Sequence, residues 1–326
     1  ALPQRGLAVR AVVLVGGHGT RLRPLTNDVP KAMLPIGGVP MIERMVGHLS
    51  SHGITEVVLS MGFLPDAFVE GYPDGTCAGI PLHYAVEPEP LDTAGAIAFA
   101  ATHAGIDADS HDSFLVQNGD VLTNLDIDAL VAAHLTVGAE GTIALTAVDD
   151  PSRYGVVTTD SSGKVLGFVE KPAPGQAPTN LVNAGTYVLE PSVLGRITAG
   201  VRVSVERQVF PAMAADGTLY ALASDATWID TGTPQAYLRA NLETLADPAG
   251  SVVDGGAVVA ASAVVERSVV LAGASIGENA VVSDSIIGPG ASVGASAHVT
   301  DHCVLGADAV VAEGEHLAGQ CRPEVA

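Results

Sequence analysis

The chain has 326 residues, of which 48% are apolar and 4% aromatic, and this length is enough for two domains with a sizeable core. A formal net charge of −21 should repel DNA, RNA and anionic membranes, so we expect no nucleic-acid or membrane partner. Cys77, Cys303 and Cys321 are too few and too far apart for a disulfide framework or a zinc site, which favours a reducing cytoplasm.

Strand and helix patterns alternate from residue 11 to residue 245. The predicted strands are 11–15, 56–60, 82–86, 113–117, 142–148, 155–159, 165–170, 185–189 and 219–223. The predicted helices are 40–51, 92–103, 126–136, 205–215 and 234–246. The early β-α-β alternation predicts a mostly parallel sheet covered on both faces, and the short strands between Thr142 and Leu189 predict an inserted or antiparallel part of the same domain.

The composition changes after Asp247-Pro248. From Ser251 to Leu317, small and β-branched residues recur about every six positions, with one row predicted at Val258, Val264, Val270, Ile276 and Val282. Such a hexapeptide repeat predicts a parallel β-helix of about three to four coils. A disordered linker of the same composition is the weaker alternative, because the rows keep their phase over many units. We therefore predict two domains, residues 1–248 and residues 249–326.

The segment from Val12 to Pro35 combines an apolar strand, a glycine turn and fixed positive charge. The glycines Gly16 and Gly17 end the strand, and Arg21, Arg23 and Lys31 follow within fifteen residues. A glycine turn leaves backbone N–H groups for a ligand, and arginine and lysine match phosphate oxygens, so the combination suits a polyphosphate. The pattern fits neither the dinucleotide fingerprint nor the P-loop.

The whole block, GGxGTRLxPLTxxxPKxMLP, resembles the signature of the sugar-1-phosphate nucleotidylyltransferases, also called nucleoside-diphosphate-sugar pyrophosphorylases. The resemblance implies a Rossmann-like three-layer α/β nucleotidyltransferase domain followed by a short left-handed β-helix, which usually serves oligomerisation or regulation. It implies that a sugar-1-phosphate oxygen attacks the α-phosphorus of a nucleoside triphosphate and that pyrophosphate leaves, with Mg²⁺ as cofactor. This displacement needs positioning and charge neutralisation but no side-chain nucleophile.

Four residues are the predicted catalytic set. The resemblance implies that Arg21 contacts the leaving pyrophosphate and that Lys31 contacts the triphosphate. It also implies that Asp120, in Asn-Gly-Asp after an apolar strand, and Asp230, in Trp-Ile-Asp-Thr-Gly, bind one Mg²⁺, an ion that prefers oxygen ligands. Taken alone, Asp120 would more often be a turn residue and Asp230 a helix N-cap.

Two further sets follow from motifs that match the family. The resemblance places the nucleotide on Val15, Gly16, Gly17, Gly19, Thr20, Arg21, Glu87, Leu91, Asp92, Thr93, Ala94, Asn118 and Gly119. It places the sugar phosphate on Tyr154, Gly155, Glu170, Lys171 and Asn183. The chain departs from the family at Asp92, where glycine is usual, and a side chain there could narrow the pocket or restrict the backbone.

Details of the sequence resemble most the branch that transfers guanylyl groups to mannose-1-phosphate. These details are the Leu-Val-Gly-Gly opening, Ser204–Arg207 and the hexapeptide tail, so GTP is the expected nucleotide. Transfer from dTTP or UTP, and transfer to a heptose or cyclitol phosphate, stay open as alternatives. A catalytically silent regulatory paralogue should have lost one of the four catalytic residues. Acyltransferase activity in the β-helix would have to use His298, His302 or His316. We expect a cytoplasmic homodimer or larger homo-oligomer that associates through the β-helix.

Overall fold

A computed structural model describes residues 10–247 and 249–324, and these form two compact units. Unit 1 contains residues 10–17 and 42–228, and unit 2 contains residues 18–41, 229–247 and 249–324. Residues 1–9, 248 and 325–326, on which parts of the predicted domain bounds fall, lie outside the described residues. The division at residue 248 stays a prediction.

The predicted helices and strands occur in the predicted order, and among the described residues the structure adds one short α-helix and five short strands between them. The helices are α1 (Met41–Ser51), α2 (Asp66–Gly71), α3 (Asp92–His103), α4 (Ile127–Val137), α5 (Phe210–Asp216) and α6 (Pro234–Leu242). The first fourteen strands are β1 (Arg10–Leu14), β2 (Pro35–Ile36), β3 (Val39–Pro40), β4 (Glu56–Met61), β5 (Thr76–Cys77), β6 (Ile80–Val86), β7 (Phe114–Asn118), β8 (Val121–Thr123), β9 (Gly141–Ala147), β10 (Gly155–Thr159), β11 (Val165–Glu170), β12 (Leu181–Leu189), β13 (Leu219–Ala223) and β14 (Trp228–Asp230). No helix within the described ranges has the length and apolar character needed to cross a bilayer.

Unit 1 is built on a ten-stranded sheet in the order β11-β10-β12-β7-β1-β4-β6-β5, with β9 between β12 and β13. The strands β7, β1, β4 and β6 are parallel, as the early β-α-β alternation predicts, and β12 runs antiparallel to β7 and β9, which confirms the antiparallel part. The sheet as a whole is mixed and not mostly parallel, because β10, β11, β12 and β5 add antiparallel pairs. Leu14 pairs with both Ser60 and Asn118, which aligns the carboxyl ends of β1, β4 and β7 at one edge. Ligands of α/β sheets bind at this edge.

The predicted helix 205–215 is wrong in its first half. Residues Val205–Val209 form a π-helical turn, and the α-helix begins only at Phe210. Pro211 has no N–H to donate to the carbonyl of Arg207, which removes one of the hydrogen bonds that an α-helix needs there. The side chain of Ser204 caps the turn by accepting a hydrogen bond from Arg207 N at 3.3 Å.

Unit 2 contains the parallel β-helix, as predicted. Its strands form three parallel sheets, which is consistent with a left-handed β-helix. These strands are β15 (Val252–Val253), β16 (Val258–Val259), β17 (Val264–Glu266), β18 (Val269–Val270), β19 (Ser275–Ile276), β20 (Val281–Ser283), β21 (Ile286–Ile287), β22 (Ser292–Val293), β23 (His298–Thr300), β24 (Val304–Leu305), β25 (Val310–Val311), β26 (His316–Ala318) and β27 (Cys321–Arg322). The sheets are β15-β18-β21-β24-β27, β16-β19-β22-β25 and β17-β20-β23-β26. Ser268 N and Ser285 N each donate to the serine hydroxyl 17 residues earlier, which stacks the coils in register. The described coils number slightly more than predicted because they continue beyond Leu317 to β27.

The predicted apolar row is wrong in the first coil. Val258 and Val264 are 68% and 45% exposed, whereas Val270, Ile276 and Val282 are buried. The register pairs Val259 with Ile276 and Val265 with Val282, so the inward residues of the first coil lie one position later than predicted. The inward residues Val265 and Val270, on either side of Ser268, are five positions apart and not six. A row counted in steps of six therefore falls one residue too early in the first coil.

Candidate active site

The carboxyl edge of the unit 1 sheet brings the strand-end glycines and Asp120 together. Gly119 N donates to Leu14 O at 2.8 Å, and Val15 N donates to Ser60 O at 2.9 Å. A Cβ at residue 119 would lie 2.5 Å from Leu14 O, so only glycine permits this approach. Asp120 follows directly, at the edge where the predicted nucleotide residues Val15, Gly16, Asn118 and Gly119 lie.

Glu87 is held at the same edge by both of its carboxylate oxygens. Ser60 Oγ donates to Oε1 at 3.0 Å, and Leu91 N donates to Oε2 at 3.0 Å. A Cβ at residue 16 would lie 3.4 Å from Glu87 Oε1, so the Gly16 turn runs beside this carboxylate. The predicted residues Gly16, Glu87 and Leu91 therefore form one connected group.

The start of α3, which carries Asp92, Thr93 and Ala94, is tied to the segment that follows residue 202. Thr93 Oγ1 donates to Glu206 Oε2 at 2.7 Å, and Val205 N donates to Thr93 Oγ1 at 2.9 Å. Ala94 N donates to Val203 O at 2.8 Å. Ser204 Oγ also donates to Glu206 Oε2, at 2.9 Å. Contacts within the chain therefore already use both the N–H group of Ala94 and the hydroxyl of Thr93.

Asp92 keeps the backbone conformation that suits glycine. Its φ is +61°, in the left-handed region that glycine enters at least cost. Aspartate is one of the few other residues that tolerate this region, and Asp92 Oδ1 accepts a hydrogen bond from Thr93 N at 2.8 Å. The departure from the family pattern therefore changes the side chain and preserves the turn.

The predicted sugar residues Gly155, Glu170 and Lys171 meet where β10 pairs with β11. Gly155 lies opposite Glu170, and a Cβ at residue 155 would lie 2.6 Å from Phe168 Cζ and 3.0 Å from Glu170 Oε2. Glycine here leaves the Glu170 carboxylate close to the backbone. Lys171 adopts a φ of +50°, its N–H donates to Tyr154 O at 3.0 Å, and its Nζ lies 3.2 Å from Glu170 Oε1.

A network of amides and aromatic rings connects the remaining predicted residues of unit 1. Asn183 Nδ2 donates to Tyr187 Oη at 2.9 Å, and Gly185 N donates to Asn183 Oδ1 at 2.9 Å. Gly185 has a φ of +74°, and a Cβ there would lie 2.8 Å from Asn118 Nδ2. This close approach places Asn183, predicted for the sugar, and Asn118, predicted for the nucleotide, against the same glycine.

Tyr154 completes the network through Trp228. The two rings meet edge to face at 5.3 Å, and Trp228 Nε1 donates to Ala184 O at 2.9 Å. Trp228 therefore links Tyr154 indirectly to the segment that carries Asn183.

Two residues in this region were not predicted from the sequence. Tyr187 is fully buried, and burial and then the Glu206 carboxylate raise its pKa well above its ordinary value, which keeps the phenol protonated. Glu206 ties Thr93 and Ser204 together. The signals were present, because Tyr187 follows the Asn-Ala-Gly motif and Glu206 lies in the Ser-Val-Glu-Arg segment. The partner of Glu206, Thr93, is 113 residues away in sequence.

Unit 2 gathers three of the four predicted catalytic residues around Gly232. Lys31 Nζ lies 3.8 Å from Asp230 Oδ1, and Gly232 N donates to the same oxygen at 2.9 Å. A Cβ at residue 232 would lie 2.5 Å from Arg21 Nη2 and 2.7 Å from Asp230 Oδ1. Two cations and one carboxylate share this place, so the cluster keeps a net positive charge that suits phosphate oxygens.

The signature segment is shaped by Gly19 and Thr26. Gly19, at a φ of +59°, precedes a 3₁₀ turn over Thr20–Leu22, and Thr26 Oγ1 donates to Gly19 O at 2.8 Å. A Cβ at residue 19 would lie 3.1 Å from Thr26 Cγ2. Lys31 begins a second 3₁₀ turn, Lys31–Met33, directly after Pro30. The backbone therefore fixes the positions from which Arg21 and Lys31 extend.

The residues predicted for the metal have suitable chemistry. Both are aspartates with oxygen donors, which Mg²⁺ prefers. Asp230 lies next to Lys31 through Oδ1, and the hydrogen bond from Gly232 N uses the same atom. The donor chemistry of Asp230 is therefore consistent with a magnesium ligand, and Asp120 is a carboxylate at the sheet edge of unit 1.

A different acidic group lies away from these residues. Within the part of the chain that the structure describes, His52, Asp126 and Asp128 are the one group whose ligand atoms lie within 4.8 Å of one another. Asp126 Oδ1 caps α4 by accepting from Ala129 N at 2.9 Å, and His52 pairs with Asp128 at 3.0 Å. These contacts account for the group as a helix cap and a surface hydrogen bond.

A groove of about 680 Å³ lies at the opposite edge of the sheet, near the start of β7 and β9. It contains none of the predicted residues. Two partly buried carboxylates of this groove already have partners, since Glu140 binds Arg196 at 2.7 Å and Glu190 contacts His134 at 3.2 Å. The Arg196 guanidinium holds the pKa of Glu140 below its usual value. The carboxylates of this groove therefore interact with neighbouring side chains of the protein. The candidate site is the carboxyl edge of the sheet, where the predicted residues lie.

Comparison with family models gives two matches. A model described as nucleotidyl transferase matches residues 10–247, and a model described as GMPPB C-terminal domain matches residues 246–321. The chain belongs to the nucleotidyl transferase family. The family predicted from the signature block is therefore confirmed, and members of this family generally use a divalent metal ion.

Several relatives share the name of one enzyme. The chain is 40% identical over 237 residues to the mannose-1-phosphate guanylyltransferase of Mycobacterium tuberculosis. The aligned region covers 72% of this chain and 64% of that protein. It is 40% identical over 269 residues to the probable mannose-1-phosphate guanylyltransferase 1 of Oryza sativa subsp. japonica. That alignment covers 81% of this chain and 73% of the rice protein. The chain thus spans 64% of the length of the first of these relatives.

Solved structures support the fold of the first part of the chain. HddC from Yersinia pseudotuberculosis in complex with GMP-PN matches with a TM-score of 0.62 and 29% identity, over 72% of this chain and 99% of that chain. A putative glucose-1-phosphate thymidylyltransferase from Bacillus anthracis matches with a TM-score of 0.63 and 26% identity, over 71% of this chain and 93% of that chain.

The cluster around Gly232 makes a testable prediction about anion binding. In Gly232→Ala the new methyl group should push the Arg21 guanidinium away, and loss of one charge-assisted contact should weaken binding of inorganic tripolyphosphate about tenfold or more. Calorimetric titration measures the change. Gly195→Ala is the control, because a Cβ at residue 195 would meet no atom within 4 Å. An affinity that Gly232→Ala leaves unchanged would remove Arg21 from the anion site.

Proposed function

We propose that this chain transfers a guanylyl group from GTP to mannose-1-phosphate and releases pyrophosphate. The observation that carries the proposal is the cluster of Arg21, Lys31 and Asp230 around Gly232 in a chain that is otherwise strongly acidic. Family membership and the names of the 40% identical relatives support guanylyl and mannose-1-phosphate as the specific choice.

The reaction is a single displacement at phosphorus. An oxygen of the mannose-1-phosphate bonds to the α-phosphorus of GTP, and the bond from that phosphorus to the bridging oxygen breaks, so pyrophosphate leaves with the electron pair. Arg21 and Lys31 stabilise the charge that builds on the leaving group. On the sugar side, the Glu170 carboxylate accepts hydrogen bonds from sugar hydroxyls, and the Asn183 amide donates and accepts them. Lys171 binds the sugar phosphate.

Nucleotide recognition falls to the carboxyl edge of the unit 1 sheet and to the start of α3. Backbone groups of Gly16, Gly17 and Gly119 approach the nucleotide closely because a side chain is absent there. Glu87 and Thr93 orient the loop through the hydrogen bonds described above, and Asp92 presents its carboxylate beside the base pocket.

We infer that Asp120 and Asp230 are the carboxylate ligands of Mg²⁺. When bound, the ion would supply positive charge to the triphosphate and to the leaving pyrophosphate. The cytoplasmic location stays a prediction that rests on three unpaired cysteines.

A silent regulatory paralogue is the second candidate function, and acyltransferase activity is the third. All four catalytic residues are present, which disfavours the silent paralogue. In the β-helix, His298 and His316 stack against each other with ring centroids 4.3 Å apart, on neighbouring outward positions. This contact gives the histidines a structural partner and lends no support to acyl transfer.

Substitution of the two aspartates tests the chemistry. Wild-type protein should release pyrophosphate from GTP when Mg²⁺ and mannose-1-phosphate are present, and Asp120→Asn or Asp230→Asn should lower that rate at least about a hundredfold, because a neutral amide is a poor magnesium ligand. A coupled pyrophosphate assay measures the rate, and the thermal unfolding midpoint reports on folding.

Asp128→Asn is the control for this test, since it removes a carboxylate from the His52 group and should leave turnover unchanged. Near-normal turnover in either Asp120→Asn or Asp230→Asn would overturn the metal assignment. Loss of turnover in Asp128→Asn instead would move the metal to the His52 group.

We also propose that the protein is a homodimer that associates through the β-helix. Outward valines stay accessible on the face formed by β16, β19, β22 and β25, with Val258 at 68% and Val310 at 61%. Light scattering on the purified chain at micromolar concentration should give twice the mass of one chain, because burial of these side chains is favourable. A mass equal to one chain would contradict the proposal.

A further inference from the structure

The β-helix shares a compact unit with the signature segment. Unit 2 contains residues 18–41, which carry Arg21 and Lys31, together with the whole described β-helix. The family resemblance implied oligomerisation or regulation for the β-helix. The contacts inside unit 2 point to a direct role in placing the cationic segment.

One face of the β-helix is covered. Its outward residues Val269, Ile286 and Val304 are 0–2% exposed, whereas Val258 and Val264 on the other two faces are exposed. The helix α6 packs on this covered face at β18. Three valine and isoleucine side chains that would otherwise meet water are therefore part of the interior of the protein.

The helix α6 in turn holds the chain that follows Lys31. Tyr237 Oη donates to Pro35 O at 2.6 Å, and Gly37 N donates to Asn241 Oδ1 at 2.9 Å. Asn241 is fully buried, and its Nδ2 donates to Tyr237 O at 3.0 Å. The β-helix, α6 and the segment after Lys31 thus form a continuous series of contacts.

The turn after β24 contacts the signature segment directly. A Cβ at residue 306 would lie 2.8 Å from Pro24 Cβ and 3.0 Å from Pro24 Cγ, and both Gly306 and Pro24 are buried. Pro24 is three residues from Arg21. Because a proline ring is stiff, a displacement of Pro24 has to move the neighbouring backbone.

The structural reason for glycine at residue 306 differs from the reason at Gly288, one coil earlier. At Gly288 a Cβ would collide with the backbone of the next coil, at Leu305 and Gly306, so glycine serves the stacking of the β-helix itself. At Gly306 the atoms in the way belong to Pro24 and, at 3.4 Å, to Pro323. The space at residue 306 is therefore taken by the signature segment.

We propose that Gly306 is a positioning residue for the triphosphate: the β-helix seats Pro24 on this glycine and thereby sets the place of Arg21. This inference rests on the function proposed above. It gives the C-terminal repeat a role in substrate binding that does not depend on a second copy of the chain.

The test compares Gly306→Ala and Gly306→Val with Gly255→Ala and Gly255→Val in the full-length protein. Gly255 lies in a turn of the first coil, where a Cβ would meet no atom within 4 Å. We expect Gly306→Val to raise the KM for GTP at least about tenfold, which corresponds to about 1.4 kcal/mol. The alanine variant should show a smaller increase in the same direction. The KM for mannose-1-phosphate should stay within about twofold, because the predicted sugar residues belong to unit 1.

A rescue variant separates positioning from general damage. In Gly306→Ala, the second change Pro24→Gly removes the ring atoms that the new methyl group meets and should recover part of the lost affinity for GTP. Thermal unfolding is followed in every variant, and where the valine variant does not fold, the alanine variant and its rescue decide.

The outcomes distinguish this inference from the proposed function. If wild-type protein uses GTP and the folded Gly306 variants keep its KM for GTP within about twofold, the positioning role is wrong and the proposed function stands. Equal increases in both KM values would also overturn it, since a structural defect would act on both substrates. If wild-type protein releases no pyrophosphate from any triphosphate, the proposed function itself fails.

Discussion

The placement of two cations beside one carboxylate is the constraint on which the proposed chemistry depends. The chain carries a formal charge of −21, so a triphosphate approaches it only where the local charge is reversed. Around Gly232, Arg21 and Lys31 exceed Asp230 by one charge, and the absence of a side chain at Gly232 lets the guanidinium and the carboxylate come together. The proposed seating of Pro24 on Gly306 would hold Arg21 in this cluster.

Close approach at glycine recurs wherever predicted site residues meet. Gly119 lets the Asp120 loop pass the end of β1, Gly155 lets Glu170 reach the backbone of β10, and Gly185 lets Asn118 reach the Asn183 turn. In each case a Cβ would fall within 3.0 Å of its neighbour, a distance that side chains do not adopt. The geometry of the site therefore depends on close approaches at glycine, to backbone at Gly119 and to side chains at Gly155 and Gly185.

Much of the fold could be predicted because local patterns and turn residues agree with the long-range structure. The helix Asp92–His103 and the strands Gly155–Thr159 and Leu219–Ala223 have the predicted bounds. The helix Asp66–Gly71 was missed because six residues are too few for a helical period to emerge. The first coil of the β-helix was wrong by one position, since a five-residue step near Ser268 moves the inward row.

Site residues that lie in family motifs could be predicted from the sequence. Residues whose contacts join distant parts of the chain could not. The motifs pointed to Asp92 as a departure, but only the backbone showed that its φ of +61° preserves the glycine conformation. Glu206 was missed because its partner Thr93 lies 113 residues away. The role of Gly306 was equally hidden, since a glycine in a repeat reads as part of the repeat and its contact with Pro24 requires the folded chain.

The rate of pyrophosphate release tests the central claim most directly, measured with Mg²⁺ and mannose-1-phosphate across GTP, dTTP, UTP, CTP and ATP. The account predicts that GTP reacts at least about a hundredfold faster than the others, because a site built to hydrogen-bond one base leaves buried polar groups unpaired with another. Faster release with a different triphosphate would keep the displacement at phosphorus and overturn the choice of guanine. Absence of release with all five would contradict the account.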